Sequence, residues 1–128
     1  MAADPKMNIL VVDDFATMRR IITNVLRQLG YENIVEAEDG AKALDVINGE
    51  QVDFVITDWN MPQMSGLDLL KAVRGHENQA KQKIPVLMVT AESLQENIVA
   101  AAQAGVNNYI IKPFDAKTLS EKIAKIFG

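Results

Sequence analysis

Two apolar runs in this sequence, Ile9-Leu10-Val11-Val12 and Phe54-Val55-Ile56, do not alternate with polar residues. A strand with one wet face alternates, whereas a run that is apolar at every position needs cover on both faces. Helices lying on both sides of a parallel sheet provide that cover. Segments of helical period follow each short, β-branched-rich run. Together they predict an open, doubly wound α/β fold, with a five-stranded parallel sheet and five helices.

The predicted strands are Asn8 to Val12, Asn33 to Ala37, Val52 to Thr57, Pro85 to Val89 and Asn107 to Ile111. The predicted helices are Thr17 to Leu29, Gly40 to Ile47, Leu67 to Arg74, Ser93 to Ala104 and Ala116 to Phe127. Gly30, Gly49 and Gly105 stand where helix stops are expected. The polar run from His76 to Lys83 reads as a helix end and a loop. Connections are short and no linker or internal repeat interrupts them, so the 128 residues read as one domain.

Composition removes several classes of function. There is no cysteine and a single histidine, His76, which rules out thiolate chemistry and clusters of histidine ligands. Thirteen basic residues against 17 acidic ones give a net charge of -4, which argues against a nucleic-acid-binding face. No stretch approaches the roughly 20 apolar residues of a membrane span. Met1 to Lys6 lacks the apolar core of a signal peptide. The expectation is a soluble, cytoplasmic monomer that neither enters membranes nor binds nucleic acid.

In open parallel sheets, ligands bind outside the carboxyl ends of the strands. The first predicted strand delivers Asp13 and Asp14 to that edge, the third Asp58, the fourth Thr90 and the fifth Lys112. If the strand order is 2-1-3-4-5, the flavodoxin-like order, taken over from known doubly wound sheets, the first and third strands are neighbours and the three acids converge. At about 4 Å, each carboxylate pair costs about 4 kcal/mol at an effective dielectric near 20. Such a cluster either takes up protons or binds a cation. Oxygen ligands without nitrogen or sulfur favour a hard ion, Mg²⁺ first and Mn²⁺ or Ca²⁺ after it. Lys112 offsets further negative charge. The set suits phosphoryl transfer. Asp58, alone at its strand end, suits the acceptor of an acyl phosphate, and the Asp13–Asp14 pair suits metal binding. Spacing alone leaves that division open.

The stretches Val12-Asp13-Asp14-Phe15, Asp58-Trp59-Asn60-Met61-Pro62, Thr90-Ala91-Glu92 and Lys112-Pro113-Phe114 resemble, in order, the four motifs of response-regulator receivers. Ala100 to Gly105 and Tyr109 resemble the chemotaxis members of that family. The resemblance implies phosphorylation at Asp58 and a Mg²⁺ site built from Asp14, from Asp13 through water, from Asp58 and from the backbone carbonyl of Asn60. It implies that Thr90 and Lys112 contact phosphoryl oxygens, that Lys112–Pro113 is cis, and that Tyr109 is a rotamer switch coupled to Thr90. The implied partners are a chemotaxis histidine kinase, the flagellar motor switch and a phosphatase. Ile98, Tyr109, Ile111 and Lys122 would form the output surface, with Ile98 left exposed on its helix. With no output domain following, signalling would proceed by protein binding.

The sequence departs from the family at Gln63-Met64-Ser65-Gly66, where an Asp commonly precedes the glycine; Ser65 is expected to cap the helix instead. Leu94 and Gln95 stand where some chemotaxis receivers carry lysines. Plainer readings accompany the sharp ones. Asp14 and Thr90 could be helix caps, Asp58 a turn residue, Lys112 a solvated lysine and Tyr109 a core residue with a wet hydroxyl. A haloacid-dehalogenase-type phosphatase would need Asp-x-Asp after the first strand, and a flavin binder would need a hydroxyl- and glycine-rich loop there. A receiver outside chemotaxis remains the rival that motifs do not separate.

Overall fold

In a computed structural model, which describes residues 4–91 and 95–127, the elements alternate as expected. The strands are β1 (Ile9–Val12), β2 (Ile34–Ala37), β3 (Phe54–Asp58), β4 (Val86–Thr90) and β5 (Asn108–Ile111). The helices are α1 (Ala16–Gln28), α2 (Gly40–Gly49), α3 (Gly66–Arg74), α4 (Gln79–Gln82), α5 (Gln95–Gln103) and α6 (Ala116–Phe127). All neighbouring strands pair in parallel, in the order β2-β1-β3-β4-β5.

The unalternating runs divide between two cores. Ile9, Val11, Phe54 and Ile56 face one side with Ile22 and Leu26 of α1 and Leu119 and Ile123 of α6. Leu10, Val12 and Val55 face the other with Ala43 and Ile47 of α2 and Leu69, Leu70 and Val73 of α3. Each such side chain contributes about 1.5–3 kcal/mol by burial. Every residue of β1, β3 and β4 is buried, whereas the edge strands β2 and β5 are partly exposed.

The expectation of five helices is corrected to six among the described residues. The extra one, α4, lies inside the run read as loop; the Asn78 side chain accepts from the Ala80 amide and so starts a turn that polarity had hidden. Two strands also run one residue further than expected, so Asp58 and Thr90 are the last residues of β3 and β4. Ser65 caps α3 as expected, in a reciprocal capping box with Asp68. Gly105 follows α5 at φ +93°, a conformation that side chains with a Cβ rarely adopt. Glu92, Ser93 and Leu94, together with the side chain of Gln95, lie outside the described residues. The predicted helix start at Ser93 and the two side chains, Leu94 and Gln95, that stand where some chemotaxis receivers carry lysines fall there.

Candidate functional site

Strand register brings the candidate residues to one edge. Val12 pairs with Thr57, Asp58 with Val89 and Thr90 with Ile111, so the residues at and just beyond the strand ends share one rim. There, carboxylate oxygens of Asp13, Asp14 and Asp58 lie within 4.8 Å of one another, close enough to ligate one ion. Asp13 and Asp58 are buried, at 0% and 5% exposure. Lys112 Nζ lies 3.1 Å from Asp58 Oδ1 and 3.6 Å from Asp13 Oδ2. The Lys112 amide donates to the Thr90 carbonyl at 2.8 Å, which joins the last two members of the set. Thr90 is itself 4% exposed.

The electrostatics of the cluster are unbalanced. Three carboxylates face one ammonium, and two buried oxygens, Asp13 Oδ2 and Asp14 Oδ1, receive no hydrogen bond. Burial in the sheet end pushes the Asp13 carboxyl above its ordinary value; donation from the Phe15 amide, at 2.9 Å, pulls it down but is outweighed. Asp58 and Asp14 add to the rise and Lys112 opposes it. Buried acceptors that lack donors, all of them oxygen, fit a hard divalent cation.

Asn60 is exposed in the loop two residues past Asp58. Gly66 brings that loop back onto β3: its amide donates to the Trp59 carbonyl at 2.8 Å, and a Cβ on it would stand 2.2 Å from the Asp58 carbonyl oxygen. The Lys112–Pro113 peptide is cis. Tyr109, opposite Met88 in the sheet, borders a small apolar crevice with Trp59, Met88, Thr90 and Ile98. Lys122 Nζ lies 5.2 Å from the centre of the Tyr109 ring. Ile111 is 39% exposed. Ile98 is corrected from exposed to half-buried: it sits three residues before buried Ala101 on the inner face, and the large apolar side chain that α5 exposes among the described residues is Val99.

The larger hollow, about 520 Å³ and bordered by Asn48, Asp53, Asn78 and Lys81, lies at the opposite, amino ends of the strands. It holds no such carboxylate cluster. Sequence reading missed Arg19, whose Nη1 donates to the Asp13 carbonyl at 2.6 Å. A cation one turn into the helix behind an acidic pair was the available signal.

An all-parallel 2-1-3-4-5 sheet with an acidic, lysine-bearing carboxyl edge defines a receiver. The response regulator receiver domain family matches residues 9–124, and the chain belongs to that family of phosphoacceptor domains. It is 58% identical over 121 residues to the chemotaxis protein CheY of Pseudomonas aeruginosa, covering 94% of this chain and 96% of that one. Among solved structures, the chemotaxis protein CheY4 of Vibrio cholerae, crystallised at low pH, superposes with a TM-score of 0.86 at 33% identity, covering 94% of this chain and 98% of that one. The receiver domain of a Pseudomonas aeruginosa sensor histidine kinase, with a magnesium ion coordinated in its active-site cleft, superposes with a TM-score of 0.83 at 28% identity over 96% and 99% of the two chains.

Proposed function

We propose that this chain is a chemotaxis response regulator. It accepts a phosphoryl group on Asp58 from a chemotaxis histidine kinase in a Mg²⁺-dependent reaction, then binds the flagellar motor switch. The observation that carries the reading is the 3.1 Å pair between Lys112 Nζ and Asp58 Oδ1 inside a three-carboxylate cluster. The identity to a chemotaxis protein supports the pathway.

An Asp58 carboxylate oxygen attacks the phosphorus of a phosphohistidine that is protonated at its other ring nitrogen; the P–O bond forms as the P–N bond breaks, the electron pair stays on the leaving nitrogen, and the imidazole leaves neutral. Asp13, Asp14, Asp58 and the Asn60 carbonyl would hold Mg²⁺. Bound there, the ion neutralises charge on the transferring oxygens. Lys112 holds Asp58 in line and takes up a phosphoryl oxygen, while the Thr90 hydroxyl donates to another. The new group carries about -1.5 to -2 charges. Thr90 moves toward it, Tyr109 turns into the crevice beside Ile98, and the face carrying Ile98, Tyr109, Ile111 and Lys122 changes shape.

The chain acts as a phosphoacceptor that promotes its own phosphorylation and dephosphorylation, not as a turnover enzyme. It works as a cytoplasmic monomer, and a phosphatase resets it. Among the described residues no helix is long and apolar enough to cross a membrane. The test is intact mass after incubation with acetyl phosphate and Mg²⁺. One alkali-labile phosphoryl group on the wild type, absent from Asp58→Asn and without metal, is expected. An unmodified wild type sinks the reading.

A further inference from the structure

Arg19 ties three elements together beside the acidic cluster. From α1, its Nη1 donates to the backbone carbonyl of Asp13 at 2.6 Å, at the end of β1. Its Nε donates to Glu36 Oε1 on β2 at 3.1 Å, and the Arg19 side chain is only 16% exposed. The Asp13 carbonyl belongs to the peptide that joins Asp13 to Asp14, so its direction sets where the Asp14 Cα–Cβ bond leaves the chain. Asp13 is held at its other polar atoms as well. Its amide donates to the Ala37 carbonyl at 3.2 Å, Oδ1 accepts from Phe15, and Oδ2 faces Lys112.

We infer that Arg19 is a positioning residue for the divalent-cation site, holding the Asp13–Asp14 peptide so that both carboxylates point at one ion. This rests on the proposed binding of a cation by the three carboxylates. Charge and position predict opposite signs. A guanidinium near the cluster repels a cation, so as a charge alone Arg19 weakens Mg²⁺ binding, and its removal strengthens it. As a fork that bonds a carbonyl and a carboxylate together, it strengthens binding. Lysine keeps the charge but lacks the planar fork and cannot span both partners in that geometry. Supporting groups outside a metal's own ligands are worth about 10–100-fold in affinity.

The experiment is Mg²⁺ titration followed by Trp59 fluorescence, next to Asp58, with thermal melting of the metal-free proteins alongside. The wild type, Asp14→Asn, Arg19→Lys, Arg19→Gln, Glu36→Gln and the Arg19→Lys/Glu36→Gln double variant are compared. We expect both Arg19 variants to raise the Mg²⁺ Kd by about tenfold. Glu36→Gln, at an exposed position that leaves the fold intact, raises it less but in the same direction. The double variant matches Arg19→Lys, because the two act through one fork. An unchanged Kd in Arg19→Lys, or tighter binding in Arg19→Gln, overturns the inference; so does a lowered melting temperature with Kd unmoved. A wild type without a saturable response, or with one that Asp14→Asn leaves unaltered, shows instead that the cation-binding reading has failed.

Discussion

The guanidinium of Arg74 grips the carbonyl of Gly105 with two donors, Nε at 3.0 Å and Nη2 at 2.9 Å. Its remaining donors reach the carbonyls of Gln82 and Ile84 and Oδ1 of Asn107. All five N–H groups are thus used and no acceptor is a carboxylate. Burial lowers the guanidinium's pKa, and the backbone dipoles stabilise its charge. One side chain at the end of α3 therefore ties the chain leading into β4 to the turn between α5 and β5. Gly105 permits this twice over, through its positive φ and because a Cβ there would stand 3.1 Å from Arg74 Nε.

Replacing Arg74 with Lys keeps the charge and strands most of these acceptors. We expect a loss of about 2 kcal/mol, or roughly 7 °C of melting temperature for a domain this size. Thermal denaturation followed by circular dichroism measures it. A shift below a degree would mean that water replaces the guanidinium without cost.

The raised pKa of Asp13 makes stability depend on pH. A carboxyl whose folded value lies above its ordinary 3.8 favours folding fully below 3.8, and that contribution is lost as pH rises through the folded value. At neutral pH burial of the Asp13 carboxyl therefore subtracts from stability relative to low pH. Asp13→Asn is expected to raise the melting temperature of the metal-free protein at pH 7. The gain should shrink as pH falls toward 4, and added Mg²⁺ should narrow it by stabilising the wild type more than the variant. Melting curves at several pH values, with and without metal, check both trends.

At Gly66 a methyl group would collide with backbone that cannot turn away: its Cβ would lie 2.2 Å from the Asp58 carbonyl oxygen, and 2.8 Å from Met88 Sδ besides. Gly66→Ala should cost more than about 2 kcal/mol by urea denaturation. It should also slow labelling by acetyl phosphate, because the displaced atoms belong to the proposed phosphoacceptor residue. Unchanged labelling in a folded Gly66→Ala protein would disconnect the two.

Thr23 on α1 is 7% exposed, and its hydroxyl oxygen has no hydrogen-bond partner among the described residues. Valine has nearly the same shape without the stranded polar group. Thr23→Val should raise stability by about 1 kcal/mol, seen as a higher urea midpoint with an unchanged slope. A lower midpoint would mean that the hydroxyl is satisfied in solution.

The doubly wound architecture was legible because unalternating strands such as Ile9 to Val12 have few other places to go, and periodicity is a local property. The candidate site residues were legible for a related reason. In a parallel sheet, strand ends are where side chains escape burial, so Asp13, Asp14, Asp58, Thr90 and Lys112 stand out as the polar residues that terminate each apolar run. Helix α4 was not legible, because a four-residue turn started by the Asn78 side chain leaves no periodic trace. Nor was the half-burial of Ile98, which depends on how α5 rotates against Tyr109 and Trp59.

By itself, then, the sequence determined the layers, the order of elements and the identities of the residues at the carboxyl edge, since each comes from local pattern and chain connectivity. Only the tertiary structure decided that three carboxylate oxygens come within 4.8 Å of one another, that two of the cluster's buried oxygens lack donors, and that Arg19 and Arg74 close their bonds onto backbone carbonyls. Those facts arise from register and packing between segments far apart in the chain, and a carbonyl acceptor, which every residue carries, leaves no mark in the sequence.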